Sequence, residues 1–128
     1  MFRSLLFSLA LACAGGAACA VEQGHGVPAA FVGEWNVHVA LCGTSDGDGR
    51  LIIRPSRVEF YESAGPVVRV LVESPDQIVV IAQLQGEGQV MRSVRRWRLS
   101  TDRQQLIDEP GAGGLARHRC RSGSTTHP

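Results

Sequence analysis

The chain has 128 residues, with 13 basic and 12 acidic side chains, a formal net charge of +1, and no lysine among the basic ones. A balance this close to neutral excludes a general polyanion binder, and the length holds one domain with a single modest core.

Residues 1–20, MFRSLLFSLALACAGGAACA, place Arg3 ahead of an apolar run and then small residues, with Ala18-Cys19-Ala20 as a small-x-small cleavage site. This is the pattern of a secretory signal peptide, and its apolar run is too short to span a membrane. A second reading stays open. Gly16-Ala17-Ala18 before Cys19 is a permissive lipobox, which would make Cys19 an acylated N-terminus in an outer membrane. The leucine usual three positions before the cysteine is missing, which favours simple cleavage. The expected location is periplasmic or secreted on either reading, with no transmembrane segment in the mature chain. Losing Arg3 from the thirteen basic residues leaves twelve against twelve acidic ones.

Of the four cysteines, Cys13 leaves with the signal and Cys19 leaves or is lipidated. Cys42 and Cys120 remain, and in an oxidising compartment they are expected to form a structural disulfide. There is no Cys-x-x-Cys, and His38 and His118 have no zinc spacing, so no metal or cofactor is expected.

Residues 21–30, VEQGHGVPAA, carry two glycines and a proline without periodicity and read as a loose N-terminal arm. The barrel domain is expected over 31–120. In residues 31–42, FVGEWNVHVALC, Phe31, Gly33, Trp35, Val37, Val39 and Leu41 share one parity, and Glu34, Asn36 and His38 the other. That period of two predicts one continuous strand with a buried face. Gly33 suggests a close approach of another segment. Residues 43–49 form a glycine-rich loop. Asp46-x-Asp48-Gly49 fails as a calcium loop, because Pro55 falls where the twelfth-position glutamate belongs.

Short strands then follow at 51–54, 57–62, 67–73, 77–85, 89–100, 104–107 and 115–120, separated by Gly, Pro, Ser and Asp turns. Asp108 falls in a Pro/Gly loop, 108–114, and the tail 121–128 is polar and expected to be disordered. The apolar parities predict a core of Trp35, Val37, Val39, Ile53, Phe60, Val68, Val70, Val80, Trp97 and Leu99. About eight short strands with frequent turns and no amphipathic helix predict an all-β fold, a small antiparallel up-and-down barrel. A bond from Cys42 to Cys120 would tie the first barrel strand to the last, and closure removes exposed edges.

Gly33-x-Trp35 on a first strand, followed by a series of hairpins, resembles the lipocalin-like (calycin) group of small barrels. Within it, the mature size, the arm and the single disulfide are similar in build to secreted bacterial metalloprotease inhibitors and periplasmic lysozyme inhibitors. Those protease inhibitors use a shorter, more local disulfide, so the resemblance covers architecture and the Gly-x-Trp pair only.

No nucleophile elbow, His-Glu-x-x-His or phosphate loop is present, and an enzyme is not expected. His38 and His118 read as solvated. Arg92, Arg96 and Arg98 share one parity and Arg95 the other, so the arginines around Trp97 read as an outer row facing carboxylates on neighbouring strands. A nucleic-acid partner is not expected. Leu71, Val79 and Ile81 fall on the outward parity, either as a partner surface or under a covering arm. The leading expectation is an exported binding protein, an inhibitor or interaction module acting on another envelope or secreted protein. The alternatives are a carrier of a small apolar ligand and a lipid-anchored envelope structural or assembly factor. The bulky core argues for a filled barrel, whereas a cavity above about 300 Å³ favours the carrier.

Overall fold

The computed structural model describes residues 22–24, 26–109 and 114–121. Residues 1–20, with Cys19, and the tail beyond Arg121 lie outside them. The strands are β1 (Glu22–Gly24), β2 (Gly33–Asn36), β3 (Arg50–Ile53), β4 (Arg57–Phe60), β5 (Ala64–Ser74), β6 (Gln77–Gly86), β7 (Gln89–Leu99), β8 (Gln105–Glu109) and β9 (Ala116–Arg119). From β2 onward each strand pairs antiparallel with the next, and β9 returns to pair with β2. Eight strands thus close an up-and-down barrel, as the alternation predicts. Cys42 and Cys120 are bonded, with Cα atoms 5.5 Å apart across a separation of 78 residues.

The alternation works most plainly in β6. Ile78, Val80, Ala82 and Leu84 turn into the barrel and are buried, while Gln83 and Gln85 face out and are exposed. The same rule buries Leu51 and Ile53 of β3, Trp97 and Leu99 of β7, and Leu106 of β8. Trp35 and Trp97 are the largest fully buried side chains. Burial at this scale is the main favourable term for a domain of this size.

The expected strand over 31–42 is broken at both ends. Ala29–Phe31 and Val39–Leu41 are 3-10 turns, and only Gly33–Asn36 is strand. Phe31 is still buried, because its turn folds its ring into the core and its carbonyl accepts the Trp35 indole N–H at 2.9 Å. Past Asn36 the chain leaves the ladder and turns back toward Cys120. Val39 is therefore 59% exposed rather than in the core, and Val37 is half-buried. Gly33 has φ +143°, a conformation that side chains rarely adopt, and this is what requires glycine there. The nearest group to a Cβ at that position is the Arg119 guanidinium, at an ordinary 3.6 Å.

Val68 also lies outside the core that the alternation predicts. The pairing of β5 with β6 shifts between Val67 and Arg69, and this irregularity exchanges the faces of the residues before it. Val67 and Val72 pack against the core and Val70 is fully buried, while Val68 is 52% exposed. The strand also begins earlier than its turn residues suggest. Gly65 lies within β5, and a Cβ there would run into the Gln83 carbonyl oxygen, so glycine permits the close approach of β5 to β6. Phe60 is half-buried against the core.

The arm is partly built into the sheet. Gly24 pairs with Val70, Gln23 with Leu71 and Glu22 with Val72, on the edge of β5 that β4 leaves uncovered. Val27 is buried, and its N–H donates to the Pro55 carbonyl at 2.8 Å.

Replacing Cys42 and Cys120 by serine lowers the unfolding midpoint in a thermal melt. The chain-entropy limit for so long a loop is about 4–5 kcal/mol. Thiol labelling of the native, unreduced protein at either position would show the bond to be absent. The Gly65→Ala change forces β5 away from β6 and costs about 1–3 kcal/mol, read in the same melt. An unchanged midpoint would mean that the strands part there without loss.

Candidate functional site

The two ends of the barrel are built differently. One end carries the β3–β4, β5–β6 and β7–β8 turns, the start of β2 and the end of β9. Arg119 closes it. Its guanidinium stacks on the Trp35 ring with the central carbon 4.1 Å from the centroid. It donates to the carbonyls of Ala30 (2.7 Å), Arg103 (3.0 Å) and Val32 (3.4 Å). Burial pushes the Arg119 guanidinium below its ordinary pKa, with repulsion from Arg103 adding to the effect. Carbonyl oxygens and an aromatic face hold the cation without a carboxylate.

The opposite end carries the β2–β3, β4–β5, β6–β7 and β8–β9 connections. A groove of about 410 Å³ lies there along the part of β7 that β8 leaves unpaired, with walls from Phe60, Leu84, Met91, Arg92, Val94 and Arg95 and the hydroxyls of Ser63 and Ser93. Arg95 sits over the Phe60 ring, 5.5 Å from its centroid. Below it lies a charged cluster turned into the barrel. Asp108 Oδ2 accepts from Arg95 Nη1 at 3.3 Å and lies 3.6 Å from Arg117 Nη1. The Asp108 and Arg117 side chains are only 5% and 7% exposed, whereas Arg95 is 41% exposed. Arg117 also donates through Nε to the Gly49 carbonyl at 3.1 Å, while its Nη1 makes no hydrogen bond. Burial pushes the Arg117 guanidinium below its ordinary pKa, and Asp108 opposes that shift. Trp97, in register with Asp108, has a buried indole N–H without an acceptor.

Strand parity explains these placements. Arg95 alternates with Trp97 and Leu99 on the inward face of β7, the parity opposite to Arg92, Arg96 and Arg98. Asp108 alternates with Leu106, because β8 runs to Glu109 and is not yet a loop at Asp108. Arg117 is in register with Leu106 and faces the same way. Of these residues only the odd parity of Arg95 was a signal in the sequence. Within the expected strand 115–120 only Leu115 and Arg119 share the parity of Arg117, too short a pattern to mark its face.

The outward row is brought together on β5 and β6, where Leu71 stands in register with Val79 and Ile81 follows two residues along the same face, away from the groove. Ile81 is 8% exposed, Leu71 and Val79 are half-buried, and Leu71 is in register with Gln23 of β1. Val94, in register with Ile81 on the outer face, is 59% exposed and extends that row in a way the sequence did not mark. Arg96 and Arg98 pair with Glu73 and Glu109 at 2.8 and 2.7 Å. His38 is exposed in the loop after β2, and His118 is half-buried on β9. Among the described residues no group of three or more His, Cys, Asp or Glu side chains could hold a metal ion.

No family model, no curated protein and no solved structure matches this chain.

Asp108→Ala leaves the Arg117 cation buried beside nothing that balances it and costs about 3–5 kcal/mol in chemical denaturation. Adding Arg117→Leu removes the orphaned charge, so the double variant is more stable than Asp108→Ala alone. The reverse order would show that Asp108 acts independently of Arg117.

Proposed function

We propose that this chain is an exported, non-catalytic binding protein whose recognition site is this mouth of the barrel. The observation that carries the reading is the asymmetry of the two ends: one filled by Arg119 on Trp35, the other holding a groove of about 410 Å³. That volume lies in the usual range for small-ligand sites, about 300–1,000 Å³. The groove walls offer apolar surface, two hydroxyls and two guanidinium groups, and no His, Cys, Asp or Glu lines them. Such a set orients a ligand and lacks a base to activate a nucleophile.

The Cys42–Cys120 bond and the signal-like residues 1–20 support export, since disulfides persist in oxidising compartments. Closed barrel, Gly33-x-Trp35 and one ligand mouth fit a lipocalin-like build. This favours the carrier alternative over contact through the arm, because part of the arm is committed to β5. Action on another envelope or secreted protein keeps support from the outer face, where Val68 and Val94 are exposed beside Val79 and Ile81. A lipid anchor at Cys19 would place the same barrel at a membrane surface, and mass spectrometry of the mature N-terminus distinguishes the two forms.

Titration with the neutral apolar fluorophore N-phenyl-1-naphthylamine tests the mouth. We expect saturable enhancement at one site, weakened about ten-fold or more by Ser93→Trp, which fills the groove, with an unchanged unfolding midpoint. Saturable binding that Ser93→Trp leaves intact would move the site to the outer face.

A further inference from the structure

We propose that the mouth groove takes a small amphipathic monocarboxylate, with its carboxylate on Arg95 and its apolar tail against Phe60, Leu84 and Met91. This rests on the reading of the mouth as the binding site and names the ligand class. Two guanidinium groups, Arg92 and Arg95, line the groove, and no carboxylate does. Arg92 has no ionic partner among the described residues, whereas Arg96 and Arg98 on the same strand are paired. The groove lining therefore carries positive charge over an apolar floor, the complement of an anion with an apolar tail, while Glu62 and Glu87 of the turns at this end lie outside the lining.

Arg95 is also the cation that the fold can release. Its 3.3 Å contact with Asp108 is long for a charge-assisted hydrogen bond, which is usually near 2.7–2.9 Å. Arg117 approaches the same Oδ2 from a buried position. When Arg95 turns to a ligand, Asp108 keeps Arg117 as its counter-charge, and no buried carboxylate is stranded. Arg117 is thus a positioning residue and Arg95 the ligand-binding one. The Phe60 ring beneath Arg95 holds the guanidinium plane at the groove wall through either state. Two buried donors around Asp108, Arg117 Nη1 and the Trp97 indole N–H, make no hydrogen bond, so this region of the barrel has more donors than acceptors.

The test is calorimetric titration of the purified mature protein with octanoate and with 1-octanol, two ligands of the same chain length that differ in the head group. Octanoate is expected to bind about ten-fold tighter or better, the equivalent of one charged hydrogen-bonded contact, and to weaken as salt is raised. Arg95→Gln should remove that advantage. Arg98→Gln, which alters an outer-face pair with Glu109, should leave octanoate affinity unchanged. If Arg95→Gln does not fold, Arg95→Lys, which keeps the charge and loses the planar fork, should retain an intermediate affinity. Equal affinity for the two ligands overturns the carboxylate assignment while the mouth remains a binding site. Octanoate binding insensitive to Arg95 also overturns it. Failure of both ligands and of the neutral fluorophore overturns the mouth reading itself.

Discussion

The barrel depends on the closure between β2 and β9, which is also its shortest seam. Only Trp35 with Arg119 and Asn36 with His118 stand in register there, whereas β6 and β7 run paired from Gln77–Arg98 to Gly86–Gln89. A two-residue ladder is weak holding for a ring. Three contacts outside the ladder reinforce it. The disulfide joins the segments that follow each strand, the Cys120 N–H donates to the Glu34 carbonyl at 2.9 Å, and the Arg119 guanidinium lies on the Trp35 ring. One tryptophan therefore fills the core, receives the cation and pairs across the seam. Most of the polar chemistry on β9 serves closure, and only Arg117 turns toward the other end.

The two inward arginines of β9 show how the same side chain is held in different ways. Arg119 meets backbone carbonyls and an aromatic face, so its charge is dispersed over many partial charges. Arg117 meets a carboxylate that it shares with Arg95. The first arrangement is saturated and rigid. The second contains one anion between two cations, and the outer cation is both half-exposed and beside the groove. The planar fork that suits arginine to carbonyl clusters also suits it to a carboxylate.

The fold was legible wherever a strand had one apolar face. In β6, Ile78, Val80, Ala82 and Leu84 keep one parity, with Gln77, Gln83 and Gln85 marking the other despite Val79 and Ile81, and counting cysteines outside the signal-like segment leaves a single pair to close the ring. The first strand misled because Val37, Val39 and Leu41 continue the alternation past the point where the chain leaves the ladder. Period two cannot report that departure, since the turn back to Cys120 is dictated by a partner distant in sequence. Val68 misled for a similar reason: the irregularity in β5 comes from how it meets β6, not from its own residues. The charged cluster was less legible still. Asp108 opens the sequence Asp-Glu-Pro-Gly, which reads as a turn, and Arg117 stands in a short segment shared with His118 and Arg119. Their meeting requires the registers of β7, β8 and β9 together, and each register is set by a pairing that no single segment encodes.

The position of the closing strand has a consequence for how the domain is made. Because β9 is the last described strand, every earlier hairpin can form while β2 and β8 still lack a neighbour. The final pairing joins segments far apart in the chain, a contact whose loop-closure entropy makes it slow. Without that pairing, β2 and β8 each keep an unpaired edge and one end of the tryptophan-filled core lacks its cover. A chain cut short before Ala116 keeps those edges open permanently and resembles the species that aggregate. Arrival of β9, rather than formation of any one hairpin, is therefore the event that closes the sheet edges of this barrel.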